Sequence, residues 1–145
     1  MPEISSGDRL IELPDATLSL RWAATTHTGR RREVNQDAVL ASFPLFAVAD
    51  GMGGHIGGEI ASASTVDRLR AVVETGPVSA KTIEKALGRA VKDIASHPET
   101  TDDGTGTTLT GVYLDPTTEP ATWVTLNIGD SRVYLLRDDD VVQVT

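Results

Sequence analysis

The sequence predicts an α+β fold of mostly antiparallel sheet, layered with helices. Three observations lead there: strand-like stretches come first, two consecutive helical stretches follow, and strand-like stretches return toward the end. That order argues against a βαβ alternation, and two amphipathic helices in succession need a sheet face to cover.

Residues 1–17 mix Ser, Gly, Asp, Pro and isolated apolar side chains, which reads as a loose arm ahead of a domain spanning residues 18–145. Residues 18–26 form the first expected strand. Residues 37–43 and 45–49 read as two more, broken at Pro44, and the apolar run of the second suggests burial on both faces up to its end at Asp50. From Gly58 the period changes, with Ile60, Ala63, Val66, Leu69 and Val73 on one helical face until Gly76-Pro77. Ser79 is the expected N-cap of a second helix whose stripe is Ile83, Leu87, Ala90, Val91 and Ile94, stopping at His97-Pro98. After a polar loop, residues 107–114, 121–128 and 131–137 read as strands separated by turns at Asp115-Pro116 and Gly129-Asp130. Residues 141–145 begin another strand and the chain ends inside it, so a C-terminal remainder is expected to be missing.

Composition narrows the function classes. Thirteen Lys and Arg stand against 21 Asp and Glu, a formal charge of -8, and such a field repels nucleic acid and anionic lipid. With no cysteine, disulfides and thiolate metal sites are excluded. The N-terminus has no signal-like h-region, no apolar run reaches membrane-spanning length, and a cytoplasmic location is the expectation.

Three aspartates sit beside glycines at expected strand ends or turns: Asp37, Asp50 and Asp130. Singly, each reads equally as a turn residue. Asp50 carries more information, because an apolar strand delivers its carboxylate to an edge where Gly51, Gly53 and Gly54 allow close backbone approach. Carboxylate and carbonyl oxygens suit Mg²⁺ or Mn²⁺, and the absence of cysteine disfavours the usual zinc site. Arg30-Arg31-Arg32 is a basic run in an acidic chain. It reads either as a solvated turn or as a phosphate grip, since a guanidinium pairs with phosphate through two parallel hydrogen bonds.

Four segments, in order, resemble successive motifs of the bacterial metal-dependent Ser/Thr protein phosphatases of the protein phosphatase 2C type. They are Arg32-Glu33-Val34-Asn35-Gln36-Asp37, Ala49-Asp50-Gly51-Met52-Gly53-Gly54-His55 with Gly58-Glu59, Gly104-Thr105-Gly106-Thr107-Thr108, and Gly129-Asp130-Ser131-Arg132. The resemblance implies a sandwich of two antiparallel β-sheets flanked by helices, incomplete in this chain, with a metal centre in a cleft at one sheet edge. It implies that Asp50 bridges two Mn²⁺ or Mg²⁺ ions, that the Gly51 carbonyl binds one, and that Asp37 with Gln36 holds metal-bound water. Arg32 would bind the substrate phosphate, and Asp130 would help with a third ion. The implied reaction is hydrolysis of phosphoserine and phosphothreonine in proteins by a hydroxide activated at the two-metal centre. Implied partners are phosphoproteins, including bacterial Ser/Thr kinases and their targets, and the missing C-terminal half.

Two departures qualify that expectation. Met52 follows the Asp-Gly pair where eukaryotic relatives place a histidine, so His55 is assigned no catalytic role. The family's later metal-binding aspartates have no counterpart before Thr145, so the residues present are expected to bind metal poorly and to be inactive alone. The alternative is a non-catalytic, phosphatase-like binding module. A metal-dependent nuclease fits the carboxylates but not the net charge.

Overall fold

The computed structural model describes residues 3–14, 16–53, 57–100 and 104–145. Its elements run β1 (Glu3–Glu12), β2 (Thr17–Thr26), β3 (Asp37–Ser42), β4 (Leu45–Met52), α1 (Gly57–Thr75), α2 (Ala80–Ser96), β5 (Gly106–Thr107), β6 (Leu109–Asp115), β7 (Thr122–Ile128), β8 (Tyr134–Arg137) and β9 (Asp140–Gln143). A five-stranded sheet has the order β3-β4-β6-β7, with β5 paired to β4 beyond the end of β6, while β1-β2 and β8-β9 form separate two-stranded ribbons. Every pairing is antiparallel. The α+β class expected from the element order is the observed one.

Both helices cover one face of the five-stranded sheet. Leu45, Ala47 and Ala49 alternate onto that face and are buried with Leu40, Val66, Leu69, Ile83 and Ala86 in one apolar cluster. Five leucines, at 40, 45, 69, 109 and 114, are the largest fully buried side chains, and truncating one to alanine costs roughly 2–5 kcal/mol. The first half of α1 approaches the sheet through small residues, Gly57, Gly58, Ala61 and Ser62, all buried. A period search keyed to large apolar side chains therefore finds Val66 and Leu69, which are buried, but misses this small-residue part of the face, and Ala63, expected on it, is exposed. Ser79 caps α2 as expected, in a reciprocal box with Thr82 that satisfies two otherwise unpaired backbone donors. Val91, counted in the α2 stripe, is exposed and lines a groove with Leu87, Ile94 and Ile128.

The opposite sheet face is partly covered by the β1-β2 ribbon. The Trp22 ring lies 5.3 Å from that of Phe46, which is 6.2 Å from Trp123. Gly7 stands opposite Trp22 in the ribbon, and a side chain there would meet the indole.

Four sequence expectations are corrected. The loose arm contains β1, a ten-residue strand: its pairing partner, the alternating β2, supplies what local periodicity in residues 3–12 lacks. β4 is not buried on both faces; Leu45 is fully buried while Val48 is 43% exposed, because helices cover one side only. It also continues past Asp50 to Met52, where β5 extends the ladder. Gly129-Asp130 does not close a hairpin, since β8 pairs with β9 and not with β7.

Candidate metal and phosphate site

The β3-β4 register sets Asp37 directly opposite Asp50 at the end of the sheet. Both aspartates follow the alternation onto the face without helices. Partial burial, the Asp50 charge and a hydrogen bond with Asp50 together hold the Asp37 carboxyl above its ordinary value of 3.8. Two facing carboxylates without a counter-charge behave this way, and a cation between them removes the repulsion.

The backbone around the pair is tightly fixed. Asn35 starts β3 by accepting from the Asp37 N–H at 3.2 Å, and its own amide donates to Thr26 Oγ1 at 2.8 Å. The Gly51 N–H donates to the Gln36 carbonyl at 3.0 Å, and Ser62 on α1 donates to the same oxygen at 2.6 Å. A Cβ at Gly51 would collide with the Gly58 carbonyl oxygen, and a Cβ at Gly58 would lie 2.8 Å from the Gly51 carbonyl carbon. The two glycines therefore let α1 begin against the strand that carries Asp50.

On the other flank Thr108 grips Asp50 twice. Its N–H donates to the Asp50 carbonyl at 2.9 Å, and its hydroxyl accepts from the Asp50 N–H at 3.2 Å. The same hydroxyl is 2.7 Å from Ser131 Oγ. Thr108 interrupts the stretch expected as one strand, separating β5 from β6, and Ser131 joins the Gly129-Asp130-Ser131 segment to the Asp50 backbone.

Arg32, Asp37, Asp50 and Gly51 line one cleft of about 220 Å³, together with His27 and Gln36. The resemblance implied one centre for these four residues and Asp130, and the fold brings the four into one cleft. Asp130 is exposed and is not in the wall of that cleft; Ser131 is its nearest link to it. Gly54 and His55 lie outside the described residues. Thr108, Ser131, Ser62 and His27 carried no assigned role in the sequence. Thr108 and Ser131 stand inside two of the four motifs, so a motif residue without obvious chemistry was the available signal. A wider groove of about 380 Å³ beside α2 has no ionisable side chain in its wall among the described residues.

The donor chemistry fits a hard divalent cation. Asp37 and Asp50 offer carboxylate oxygens facing each other, Gly51 is the backbone neighbour, and no thiolate competes. Among the described residues no third carboxylate or imidazole joins the pair. Two carboxylates alone hold such an ion weakly.

Residues 25–145 match the sequence profile of the family Protein phosphatase 2C. Over 134 residues the chain is 39% identical to the serine/threonine protein phosphatase PstP of Mycobacterium tuberculosis, covering 89% of this chain and 25% of PstP. Over 133 residues it is 35% identical to the serine/threonine phosphatase stp of Listeria innocua, covering 83% of this chain and 51% of stp. Among solved structures, the catalytic domain of PstP in complex with two manganese ions superposes with a TM-score of 0.68 at 27% identity, covering 100% of this chain and 56% of that one. The phosphatase MsPP of Mycobacterium smegmatis, in complex with cacodylate, gives 0.64 at 28% identity, covering 99% and 52%. The chain thus spans between a quarter and about half the length of these relatives.

Proposed function

The chain belongs to the protein phosphatase 2C family, and on that premise we propose that the whole protein hydrolyses phosphoserine and phosphothreonine esters of proteins, with Mn²⁺ or Mg²⁺ held at the Asp37-Asp50 end of the sheet. The supporting observation is the cross-strand pair of carboxylates sharing a cleft with Arg32. Bound divalent cations lower the pKa of water, so that hydroxide is available at neutral pH.

This chain's own residues supply position and charge. Asp50, fixed through its backbone by Thr108, would hold the cation with its carboxylate. Asp37 faces it and, with Gln36 beside it in the cleft, would hold water bound to the ion. Arg32 offers a planar guanidinium to the phosphate oxygens, neutralising charge where phosphoryl transfer develops it. Phosphoproteins are the substrate class on this reading, with bacterial Ser/Thr kinases and their targets the partners to test first. Asp130 is assigned to a third ion.

The test is Mn²⁺-dependent release of phosphate from a phosphothreonine peptide by the whole protein. Asp50→Asn is expected to lower kcat/KM by at least about 100-fold, as loss of a metal ligand does. Release that needs no added metal, or that survives the substitution, would remove the assignment. For residues 1–145 taken alone, the two-carboxylate set favours a second reading as a binding module without turnover. A single cooperative thermal melt of that length, with phosphopeptide binding and no turnover, would support it.

A further inference from the structure

We infer that Arg30 and Arg31 form a second anion-recognition site at the rim of the cleft, selecting phosphopeptides with another negative charge two or three residues from the phosphorylated one. The inference rests on the phosphatase reading above and goes beyond it, since Arg32 alone accounts for the grip on the scissile phosphate.

Three observations carry it. Residues 29–31 form a turn in which Gly29, at φ +81°, takes a conformation most side chains avoid, and the Gly29 N–H donates to His27 Nδ1 at 2.8 Å. The turn is therefore anchored to a residue of the cleft wall, and it leads directly into Arg32, another. Next, all three arginines are exposed, and the described ion pairs, Arg68 with Asp93 and Arg70 with Asp67, involve none of them. Glu33 is adjacent and exposed, and it too forms no described ion pair with them. Finally, the chain carries a net -8, so three successive cations without an ion pair among the described residues run against its overall field. A rim of that sign draws anionic peptide locally where the rest of the surface repels it.

Distance sets the spacing. Consecutive Cα atoms are about 3.8 Å apart, so Arg30 and Arg32 are separated by roughly 5–7 Å of backbone, while an extended peptide advances about 3.3–3.6 Å per residue. A peptide whose phosphate meets Arg32 brings a side chain two or three positions away within reach of Arg30 or Arg31. The partner charge is either a carboxylate or a second phosphate. Guanidinium pairs bidentately with either group, so the two sources are separated by charge: phosphoserine carries about -1.5 to -2 near pH 7, more than a carboxylate, and its preference should be the larger and the more salt-sensitive.

The experiment compares kcat/KM of the whole protein, with Mn²⁺, for three phosphothreonine peptides: neutral flanks, one Asp three residues away, and one phosphoserine three residues away. Exposed pairs are individually weak and screened by salt, so the charged peptides are expected to be preferred by about three- to tenfold at low ionic strength. In the double variant Arg30→Ala/Arg31→Ala that ratio should fall toward one. In Arg30→Lys/Arg31→Lys, which keeps both charges and loses the planar fork, both preferences should shrink without vanishing. A ratio unchanged in the alanine variant overturns the inference, as does an equal loss on all three peptides. Should no peptide be hydrolysed, the phosphatase reading fails by itself. Fluorescence anisotropy of the same three peptides on the chain then decides the inference separately: charge-dependent binding lost in the alanine variant supports it, and equal binding overturns it.

Discussion

Asp37 and Asp50 face each other across two strands, and much of the site's behaviour follows from that proximity. The folded protein raises the Asp37 pKa above 3.8, so protonation stabilises the metal-free fold. The stability this proton contributes is complete below the unfolded value and disappears as pH rises through the raised one. Metal-free protein at pH 7 is accordingly expected to gain a few tenths of a kcal/mol from Asp37→Asn, a gain that shrinks on acidification, as urea midpoints at pH 7 and pH 4 would reveal. Saturating Mn²⁺ should reverse the sign, since the substituted site loses a ligand. Thr108 offers a separate check. Thr108→Val keeps the shape and removes the hydroxyl between Asp50 and Ser131, which should cost about 1–2 kcal/mol in thermal or urea unfolding and lower activity, while Thr108→Ser should retain most of both. Gly51→Ala has no room against Gly58 and should destabilise by about 2 kcal/mol or more. Asp50 was legible because a carboxylate among glycines at a strand end carries a specific chemical meaning, whereas Asp37 and Gly51 were singled out only through the resemblance of their motifs. Thr108 stayed unread because its contribution is a hydrogen bond formed across 58 residues, which no local pattern encodes.

Elements with a strong internal period were the ones the sequence disclosed. β2 alternates apolar and polar side chains from Thr17 to Trp22, and α2 announces its start through Ser79. β1 has neither signal: it exists through its partner, by ten backbone pairings and by the accommodation of the Trp22 indole at Gly7. Gly7→Val should therefore dislodge Trp22 from Phe46 and cost roughly 1–3 kcal/mol, with a matching change in tryptophan fluorescence. Helix α1 was placed correctly near its start, but its buried face was only partly legible, because close packing on β4 uses glycine, alanine and serine rather than large apolar side chains. The same economy of side-chain volume brings the helix close enough for Ser62 to hold the carbonyl before Asp37. Packing at the N-terminus of α1 and geometry at the candidate site are thus one structural feature.

At the scale of the molecule, helices cover one sheet face while the other keeps Val48, Met52 and Trp123 at 43, 54 and 40% exposure. The β8-β9 ribbon presents Leu136 and Val141 at 69 and 66%. Two-stranded ribbons are marginal alone, and apolar surface of this extent promotes association. The 145-residue chain is expected to self-associate at micromolar concentration in sedimentation velocity despite its net charge of -8; a clean monomer at high concentration would contradict that. The chain spans 25% of PstP and 51% of stp, and among its described residues the site gathers two carboxylates. Everything proposed about catalysis depends on those two carboxylates meeting a cation. Paramagnetic line broadening of backbone amides during Mn²⁺ titration reads this directly, even at weak affinity. The expected result is early, selective broadening at Asp37, Asp50 and Gly51 that Asp50→Asn abolishes. Broadening confined to another acidic stretch such as Asp138-Asp139-Asp140, or indifferent to that substitution, would contradict a metal site between β3 and β4.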